Sequence, residues 1–425
     1  MSNRTLSFVL GVPILLLMIG GLVQGQTPLE PDQVSPDFLT NAHQNSVQVT
    51  PRGHLNGQSH ARFGIPDIDS IVNFNGHFFS DGFDSAGNPN RHWYTNIVGN
   101  PPQMGGTTTF QAPIVPVSVD LLDANGQLRV VNGHPLHSDV TPFIQPTLGS
   151  PVFQDFTYSS SAVPTQFNDA IQRAEFFQAA KSDWHTLLNP SVKTARTIQV
   201  PLGKYFFSLN SDGSCCRFVL VDFDTFVNLL FPTVPTDTTT PIGAAENAGD
   251  ITTKDISTFL FPNTFLFIGN RANCCVLGFH TFDFEPGDAP NNNLVRFFVV
   301  NYSSWVSPGF FRSPEVLDVL PLSHEMAETF NDPFVTFDGI HDVTPWWLSP
   351  NGLCQNNLET GDVIEGLPHQ SFPIVLNGFT YHPQNEALLQ WFEFEVPSSA
   401  LHGAYSYPDE NVLTAVSSVQ HAGCP

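Results

Sequence analysis

The chain has 425 residues, which is enough for one large domain or two domains of ordinary size. Its formal net charge of -24 argues against nucleic acid and anionic membrane surfaces as partners, because both bind basic patches. The 36 proline, 31 glycine and 38 phenylalanine residues predict a loop-rich and β-rich globular protein with enough aromatic area for a core.

The first segment has the pattern of an export signal. Arg4 precedes an apolar run over residues 6–23, and small residues stand at the last and third-last positions before a possible cut after Gly25. This pattern predicts a signal peptide over residues 1–25, a secreted protein in the periplasm or outside the cell, and no membrane contact beyond that peptide. The alternative is an uncleaved anchor, since the run is almost long enough to span a bilayer.

The cysteine residues fit an exported chain, because disulfides persist in oxidising compartments. The six cysteines are Cys215, Cys216, Cys274, Cys275, Cys354 and Cys424. Two pairs are adjacent in sequence, so each pair either cross-links two strands or closes a vicinal bridge. Neither pair has the C-x-x-C spacing of a zinc site, and we expect disulfides rather than metal-binding or catalytic thiols.

The chain divides by pattern into an arm, a β-rich region and a longer second part. Residues 26–60 are polar and lack periodicity, which predicts a flexible arm. Residues 61–150 hold short apolar runs between turn residues, including a hairpin signal at Asn125–Gly126. A soft boundary near residue 150 follows, and residues 164–184 predict a helix with one apolar face.

The middle of the chain is rich in strand patterns. Runs of β-branched and aromatic residues predict strands at 218–223, 264–269, 274–284 and 295–303. The proline- and threonine-rich residues 231–250 predict a surface loop between the first two strands. Together with the predicted helices, these runs indicate an α+β protein with a β-rich N-terminal half.

The segment Leu322–Pro333, "LSHEMAETFNDP", nearly spells the zinc-protease signature H-E-x-x-H, with a glutamate in place of the second histidine. Ser313 followed by Pro314 has the pattern of a helix start. Pro321 would kink or restart that helix, and Pro333 predicts its end near Asn331.

Within this helix, three side chains could perform metal-assisted chemistry. His324 and Glu328 are four residues apart, so they project from one face and could bind one metal ion. Glu325 is rotated by about 100° from His324, where it could take a proton from metal-bound water. Glu359 and Asp362, in "LETGD", are candidates for a further ligand. The alternative is a solvated helix whose histidine bonds to a glutamate one turn away.

Other residues are weaker candidates. His280, in "CCVLGFH", could supply a second nitrogen ligand, although a lone histidine on a strand is more often packed and hydrogen-bonded. The remaining candidates are His341 and His369 as loop ligands, Trp346 and Trp347 as groove-lining aromatics, and Tyr405 and Tyr407 as oxyanion donors.

Four segments together resemble a known family. "CCVLGFH", "LSHEMAETFNDP", "LETGD" and "EALLQWF" are similar, in order and with gaps over about residues 265–395, to the secreted EXORDIUM or phosphate-induced proteins of plants. The chain is also similar to secreted bacterial proteins described as zincin-like metallopeptidases. This resemblance implies a zincin-like mixed sheet with an active-site helix, in a metal-binding domain over residues 151–425.

The resemblance also assigns roles to individual residues. It implies that His324 and Glu328 are metal ligands, that Glu325 is the general base, and that Glu359 and Asp362 match the acidic pair of the family. Zn²⁺ is the expected cofactor, but several carboxylate ligands would weaken its effect on bound water and favour Mn²⁺ or Ca²⁺.

The expected function is that of a secreted, metal-dependent, peptidase-like hydrolase. Its substrate would be a peptide or another extracellular or cell-wall component. Two alternatives remain open from the sequence. One is a non-catalytic, EXORDIUM-like extracellular protein with a structural metal site, and the other is a module that binds cell-wall glycans.

Overall fold

The computed structural model describes residues 30–42, 44–45, 47, 49, 52–53, 68–83, 89–287, 292–335, 347–355 and 358–416. The expected signal peptide lies outside the described residues. From Asp32 onward the described chain forms one compact unit, and the expected boundary near residue 150 falls within it. No helix among the described residues is long and apolar enough to cross a membrane.

Both helices and strands are present, in agreement with the α+β class. The α-helices are α1 (Thr141–Leu148), α2 (Phe167–Glu175), α3 (Phe223–Leu230), α4 (Pro241–Ala248), α5 (Leu320–Asn331) and α6 (Leu389–Phe392). The first twelve strands are β1 (Arg52–Gly53), β2 (Ile68–Asp69), β3 (Asn73–Phe83), β4 (Pro89–Val98), β5 (Thr107–Leu121), β6 (Val130–Val131), β7 (His134–Pro135), β8 (His137–Ser138), β9 (His185–Val192), β10 (Arg196–Val200), β11 (Tyr205–Ser208) and β12 (Phe218–Asp222). The later strands are β13 (Ile256–Pro262), β14 (Thr264–Phe267), β15 (Cys274–Val276), β16 (Gly278–Glu285), β17 (Val295–Trp305), β18 (Trp347–Leu348), β19 (Cys354–Gln355), β20 (Ile374–Leu376), β21 (Phe379–Tyr381), β22 (Glu386–Ala387) and β23 (Ser406–Tyr407).

The central sheet joins nine of the described strands and is mostly parallel. Its main path runs β1-β16-β17-β13-β5-β10, while β2 pairs with β17, and β8 and β9 pair with β5. Strand β16 runs antiparallel to β17 and is followed only by the two-residue β1. A second sheet of four strands has the order β11-β12-β14-β15. Strand β16 therefore lies near one edge of the central sheet, and its side chains project from both faces of that sheet.

The two faces of β16 look into different parts of the core, because successive side chains of a strand alternate. Phe282 belongs to the apolar cluster that also contains Met326 and Phe330 of α5. Phe279 belongs to the cluster that also contains Ala245 of α4. Helix α5 thus packs against one face of β16, and the core cluster that includes Ala245 of α4 lies on the other face.

Most expected elements are present, with three corrections of extent. The helix expected over residues 164–184 is limited to α2, and strand β9 begins soon after it at His185. The run 274–284 is two strands, β15 and β16, which belong to different sheets. The expected loop 231–250 contains α4, for which Thr240 caps the first turn through a bond from the Gly243 N–H.

The turn at Asn125–Gly126 is present, with Gly126 at φ +74°. It closes a single bridge between Leu122 and Leu128 rather than a full hairpin. The adjacent cysteines lie at disulfide distance as the vicinal pairs Cys215–Cys216 and Cys274–Cys275.

Candidate metal centre

Helix α5 starts later than the sequence indicated. The prediction of a start at Ser313 is wrong, because the helix begins at Leu320 with Pro321 in its first turn. Asp318 has a positive φ of 45° and exchanges two backbone hydrogen bonds with Val306, so this residue cannot be helical. The predicted end at Asn331 is confirmed.

Helix α5 is buried on every side. All 12 of its residues are buried, including those of the predicted polar face. The reading of this segment as a solvated helix is therefore wrong. His324 and Glu328 instead point toward the backbone of residues 358–365, since the N–H groups of Gly361 and Asp362 donate to Glu328 Oε1 at 3.0 and 3.3 Å.

One group of potential ligands surrounds the ring of His324. Its Nε2 atom lies 3.2 Å from Glu328 Oε2, 3.5 Å from Asp362 Oδ1 and 3.9 Å from Glu325 Oε1. Ligand atoms that bind one zinc ion at about 2.0–2.2 Å are separated by roughly 3–4 Å, so this spacing suits a coordination shell. Three of the predicted site residues, His324, Glu328 and Asp362, thus come together around one point.

A second imidazole reaches the same carboxylates from β16. His280 Nδ1 lies 3.3 Å from Glu328 Oε2, 3.5 Å from Glu325 Oε2 and 3.7 Å from Glu359 Oε2. His280, the weaker candidate in the sequence, is therefore part of the cluster. Glu328 belongs to both groups of ligand atoms, and we call the whole set the α5 cluster. Its members are His280, His324, Glu325, Glu328, Glu359 and Asp362.

The ring of His324 is held in a defined orientation. Gln384 Nε2 donates to the Gly361 carbonyl at 2.7 Å, so the Gln384 Oε1 atom is the acceptor for His324 Nδ1 at 3.1 Å. With Nδ1 bonded to Gln384, the ring directs Nε2 toward Glu328 and Asp362, where a deprotonated Nε2 would offer its lone pair to a metal ion. A hydrogen bond of this kind on the distal nitrogen is a common feature of histidines that bind metals.

Two glycines allow the walls of the site to approach α5. A Cβ atom at Gly361 would lie 2.5 Å from His324 Nδ1, and one at Gly278 would lie 2.6 Å from Glu325 Oε1. Any side chain at Gly361 would displace the imidazole ring. These glycines explain, in steric terms, the "ETGD" and "LGFH" patterns next to the predicted ligands.

Buried carboxylates greatly outnumber buried cations around the α5 cluster. Glu365 and Glu386 are also buried close to it, which brings the number of carboxylates to six beside two imidazoles. None of the described residues that line the cavity is lysine or arginine. Buried charges in proteins are normally paired or bound to metal ions, so this excess of negative charge favours a cation.

The pKa directions agree with a strongly coupled acidic site. Burial raises the pKa of Glu359, Asp362 and Glu386 well above the usual range, and that of Glu365 to about 7. Burial alone would raise the pKa of Glu328, but the two imidazoles outweigh it and lower the value. Burial likewise lowers the pKa of both histidines less than the carboxylates raise it. A metal ion would replace protons that this cluster otherwise holds.

The cavity at the centre of the cluster is small. Its volume of about 20 Å³ is enough for a single ion or water molecule. Besides the ligand candidates, its lining includes Gln44, Asn45 and Val47 of the N-terminal arm. The segment expected to be a flexible arm thus contributes a wall of the site.

The remaining sequence candidates are not part of the cluster. His369 is exposed, and the hydroxyl of Tyr405 donates to the Glu395 carbonyl at 2.7 Å. Tyr407 accepts from the backbone of Ser160. Two candidates, His341 and Trp346, lie outside the described residues, as does the side chain of Trp347.

Sequence reasoning missed three residues close to the cluster. Glu365 had a signal, because Glu359, Asp362 and Glu365 recur at every third position. Gln384 and Glu386 had no spacing signal, since they approach α5 only through the fold. Thr360 Oγ1 donates to Glu386 Oε2 at 3.3 Å and joins these segments.

No protein-family model, curated protein or solved structure matches this chain. The chemistry of the α5 cluster is therefore the basis for any functional conclusion.

Proposed function

We propose that this protein is a secreted, metal-dependent hydrolase of the zincin-like type that cleaves peptide bonds. The observation that carries the proposal is the convergence of His324 and buried carboxylates on a cavity the size of one ion, with a second buried imidazole, His280, beside Glu328. Two nitrogen ligands favour Zn²⁺ over the all-oxygen preference of Ca²⁺, while Mn²⁺ remains compatible.

The segments that carry the resemblance to EXORDIUM-like and zincin-like proteins meet in space. They supply His280, His324, Asp362 and Glu386 to one neighbourhood. Segments distant in sequence are expected to converge in this way when they share one site. This proximity supports a relationship to those proteins, and on that relationship we base the proposed zincin-like fold.

Each residue of the cluster has a separate role in the proposed reaction. The two histidines, Glu328 and Asp362 would hold the metal ion, with Glu359 beside His280. A bound divalent metal would supply Lewis acidity toward a water molecule and a peptide carbonyl. Glu325 lies beside the ligand atoms, and burial raises its pKa, which suits a group that takes a proton from water near neutral pH.

The N-terminal arm would block the access of a substrate to the α5 cluster. The Asn45 N–H donates to the Cys275 carbonyl at 2.7 Å, and the Val49 carbonyl accepts from Thr281 Oγ1 at 2.9 Å. The side chain of Gln44 bonds to Glu365. A cavity of about 20 Å³ has no room for a peptide while the arm is bound, so the proposed hydrolase is latent until the arm is displaced.

The test compares wild type with Glu325→Gln, each with the arm bound and with the arm released, on fluorogenic casein. Glu325→Gln should lower turnover of the released protein by about 10²–10⁴-fold, because it removes the general base but leaves the ligands. Its metal content should equal that of wild type. Equal turnover in the two proteins would contradict the mechanism.

A second candidate function is a structural metal site without catalysis. The many carboxylates and the enclosed cavity favour it, because negative ligands weaken the acidity of bound water. This alternative expects metal-dependent thermal stability and no casein cleavage with the arm released. Cleavage that depends on Glu325 would contradict it.

A further inference from the structure

A second cluster of carboxylates lies on the opposite face of β16. Asp283 and Glu285 alternate with Phe282 and Phe284, so they project away from α5 and toward α4. Glu246 of α4 meets them there, and the three side chains each offer an oxygen within 4.8 Å of the others. We call this group the α4 cluster.

Two of the three carboxylates of the α4 cluster are buried and Glu246 is half-buried, and Glu246 and Asp283 lie close enough to share a proton. Asp283 and Glu285 are each only 1% exposed. Five of the six carboxylate oxygens in the cluster are inaccessible to water and accept no hydrogen bond. They are Glu246 Oε1, Asp283 Oδ1, Asp283 Oδ2, Glu285 Oε1 and Glu285 Oε2. Buried polar atoms in proteins are normally satisfied, so these oxygens require a ligand or protons.

Among the side chains that the structure describes, one basic residue, Arg296, lies beside the cluster. It occupies the position opposite Glu285 in the register of β16 and β17, and its charge also reaches Glu246. With all three carboxylates ionised, these groups and the guanidinium have a net charge of 3 − 1 = 2 negative units. A divalent cation would balance that charge.

We propose that Glu246, Asp283 and Glu285 form a binding site for a hard divalent cation of the Ca²⁺ type. Ca²⁺ binds oxygen ligands at about 2.3–2.6 Å, which places opposite ligands within roughly 5 Å of each other. Three carboxylates that bind in bidentate fashion supply up to six oxygens, and water completes the shell. The cluster offers neither nitrogen nor sulfur, so it differs from the site expected for zinc.

The site would attach α4 to the edge region of the central sheet. Helix α4 contributes Glu246, whereas Asp283 and Glu285 belong to β16, near its C-terminal end. Burial raises the pKa of Glu246 to about 8 and that of Glu285 to about 7, so protons compete with the cation near neutral pH. Cation binding is therefore expected to strengthen the contact between helix and sheet.

The experiment is a Ca²⁺ titration by calorimetry of wild type, Glu246→Gln and the control Asp224→Asn. Asp224 is an exposed acid on the neighbouring helix α3, so its loss changes net charge equally without touching the site. Glu246 is only half-buried, which makes a folded Gln variant accessible. Because the variants are compared with each other, the result does not depend on which metal the α5 cluster holds.

We expect Glu246→Gln to weaken one Ca²⁺ site by about tenfold or more, because ligand charge sets the affinity of such sites. Ca²⁺ should also raise the melting temperature of wild type and of Asp224→Asn more than that of Glu246→Gln. Unchanged Ca²⁺ affinity in Glu246→Gln, or no Ca²⁺ binding by wild type, would overturn the proposal.

Discussion

The two faces of β16 carry two buried carboxylate clusters that differ in composition and in order. The α5 cluster combines carboxylates with two imidazoles, and Gln384 orients the imidazole of His324. The absence of a side chain at Gly361 lets the backbone pass close to that ring. The α4 cluster contains only carboxylates, with one guanidinium nearby. On our two proposals, excess negative charge favours a cation at both clusters, while nitrogen ligands and a fixed orientation favour chemistry only at the α5 cluster.

The clusters also differ in what covers them. The N-terminal arm lines the cavity of the α5 cluster through Gln44, Asn45 and Val47. In the α4 cluster, the third carboxylate is Glu246, which belongs to helix α4 and not to the arm. Displacement of the arm is thus expected to expose the first cluster. The second cluster keeps Glu246 of α4, but it loses the pairing of β1 with Asp283 and Phe284.

The largest expected effect comes from releasing the arm. A specific-protease sequence in place of residues 56–61 would allow the arm to be cut and removed by gel filtration. Casein turnover should then rise by at least about tenfold, because the arm no longer excludes the substrate from the α5 cluster. Metal content should stay the same before and after the cut.

A matched control carries the same protease sequence in the exposed turn 124–127. Cutting there should leave turnover unchanged. Equal turnover before and after cutting at 56–61 would show that the arm does not block the site. A metal-loaded, arm-free protein without turnover would instead contradict the hydrolase proposal itself.

A smaller effect is expected from Gly361→Ala, which tests the fixed orientation of the α5 cluster. The added Cβ would overlap the His324 ring, so the ring must move away from its ligand position. Zinc affinity, measured by competition with a chelating dye, should fall by about 10–100-fold, as for the loss of supporting contacts in metal sites. Calcium binding at the α4 cluster should not change.

Gly149→Ala is the control for this prediction, because its Cβ would crowd the Tyr381 hydroxyl instead of the site. That variant should lose stability without losing zinc affinity. If Gly361→Ala bound zinc as tightly as wild type, the ring of His324 would not be a metal ligand.

The smallest expected effect concerns Glu175, a buried carboxylate outside both clusters, and it sharpens the contrast with them. Glu175 is buried, and one of its oxygens accepts from Asn331 Nδ2 at 3.0 Å at the end of α5. Burial raises its pKa to about 8. The charge of Glu393 raises this pKa further, so we expect Glu175 to keep a proton at neutral pH.

The sign of the pH effect follows from proton linkage. Between the unfolded pKa of 4.5 and the folded value of about 8, the native state holds one more proton. The free energy of unfolding should therefore fall as pH rises through this window, by about 1.4 kcal/mol per pH unit. Glu175→Gln should make the slope in urea unfolding at pH 5–8 shallower by that amount, while the other buried carboxylates keep their share. An unchanged slope would contradict a protonated Glu175.

The sequence indicated much of the α5 cluster because its ligands follow local rules. His324 and Glu328 share a helical face, and Pro333 ends the helix. The start at Leu320 could not be read, because a long-range bridge between Asp318 and Val306 overrides the local signal of Ser313.

The parts of the two sites that the sequence did not predict depend on contacts between distant segments. Gln384 reaches His324 only through tertiary packing, and nothing in its neighbours indicates that role. The α4 cluster could not be predicted either, because Asp283 and Glu285 alternate with apolar residues, which is the pattern of a strand with one face in solvent. Only the packing of α4 shows that this face is buried and that Glu246 completes the group.

The most direct test of the central claim is elemental analysis of the purified mature protein beside a His324→Ala, Glu328→Ala double variant. Our proposals predict one zinc ion per chain in wild type and none in the variant, while calcium bound at the α4 cluster persists in both. Zinc absent from wild type, or present equally in both proteins, would contradict a metal centre on α5.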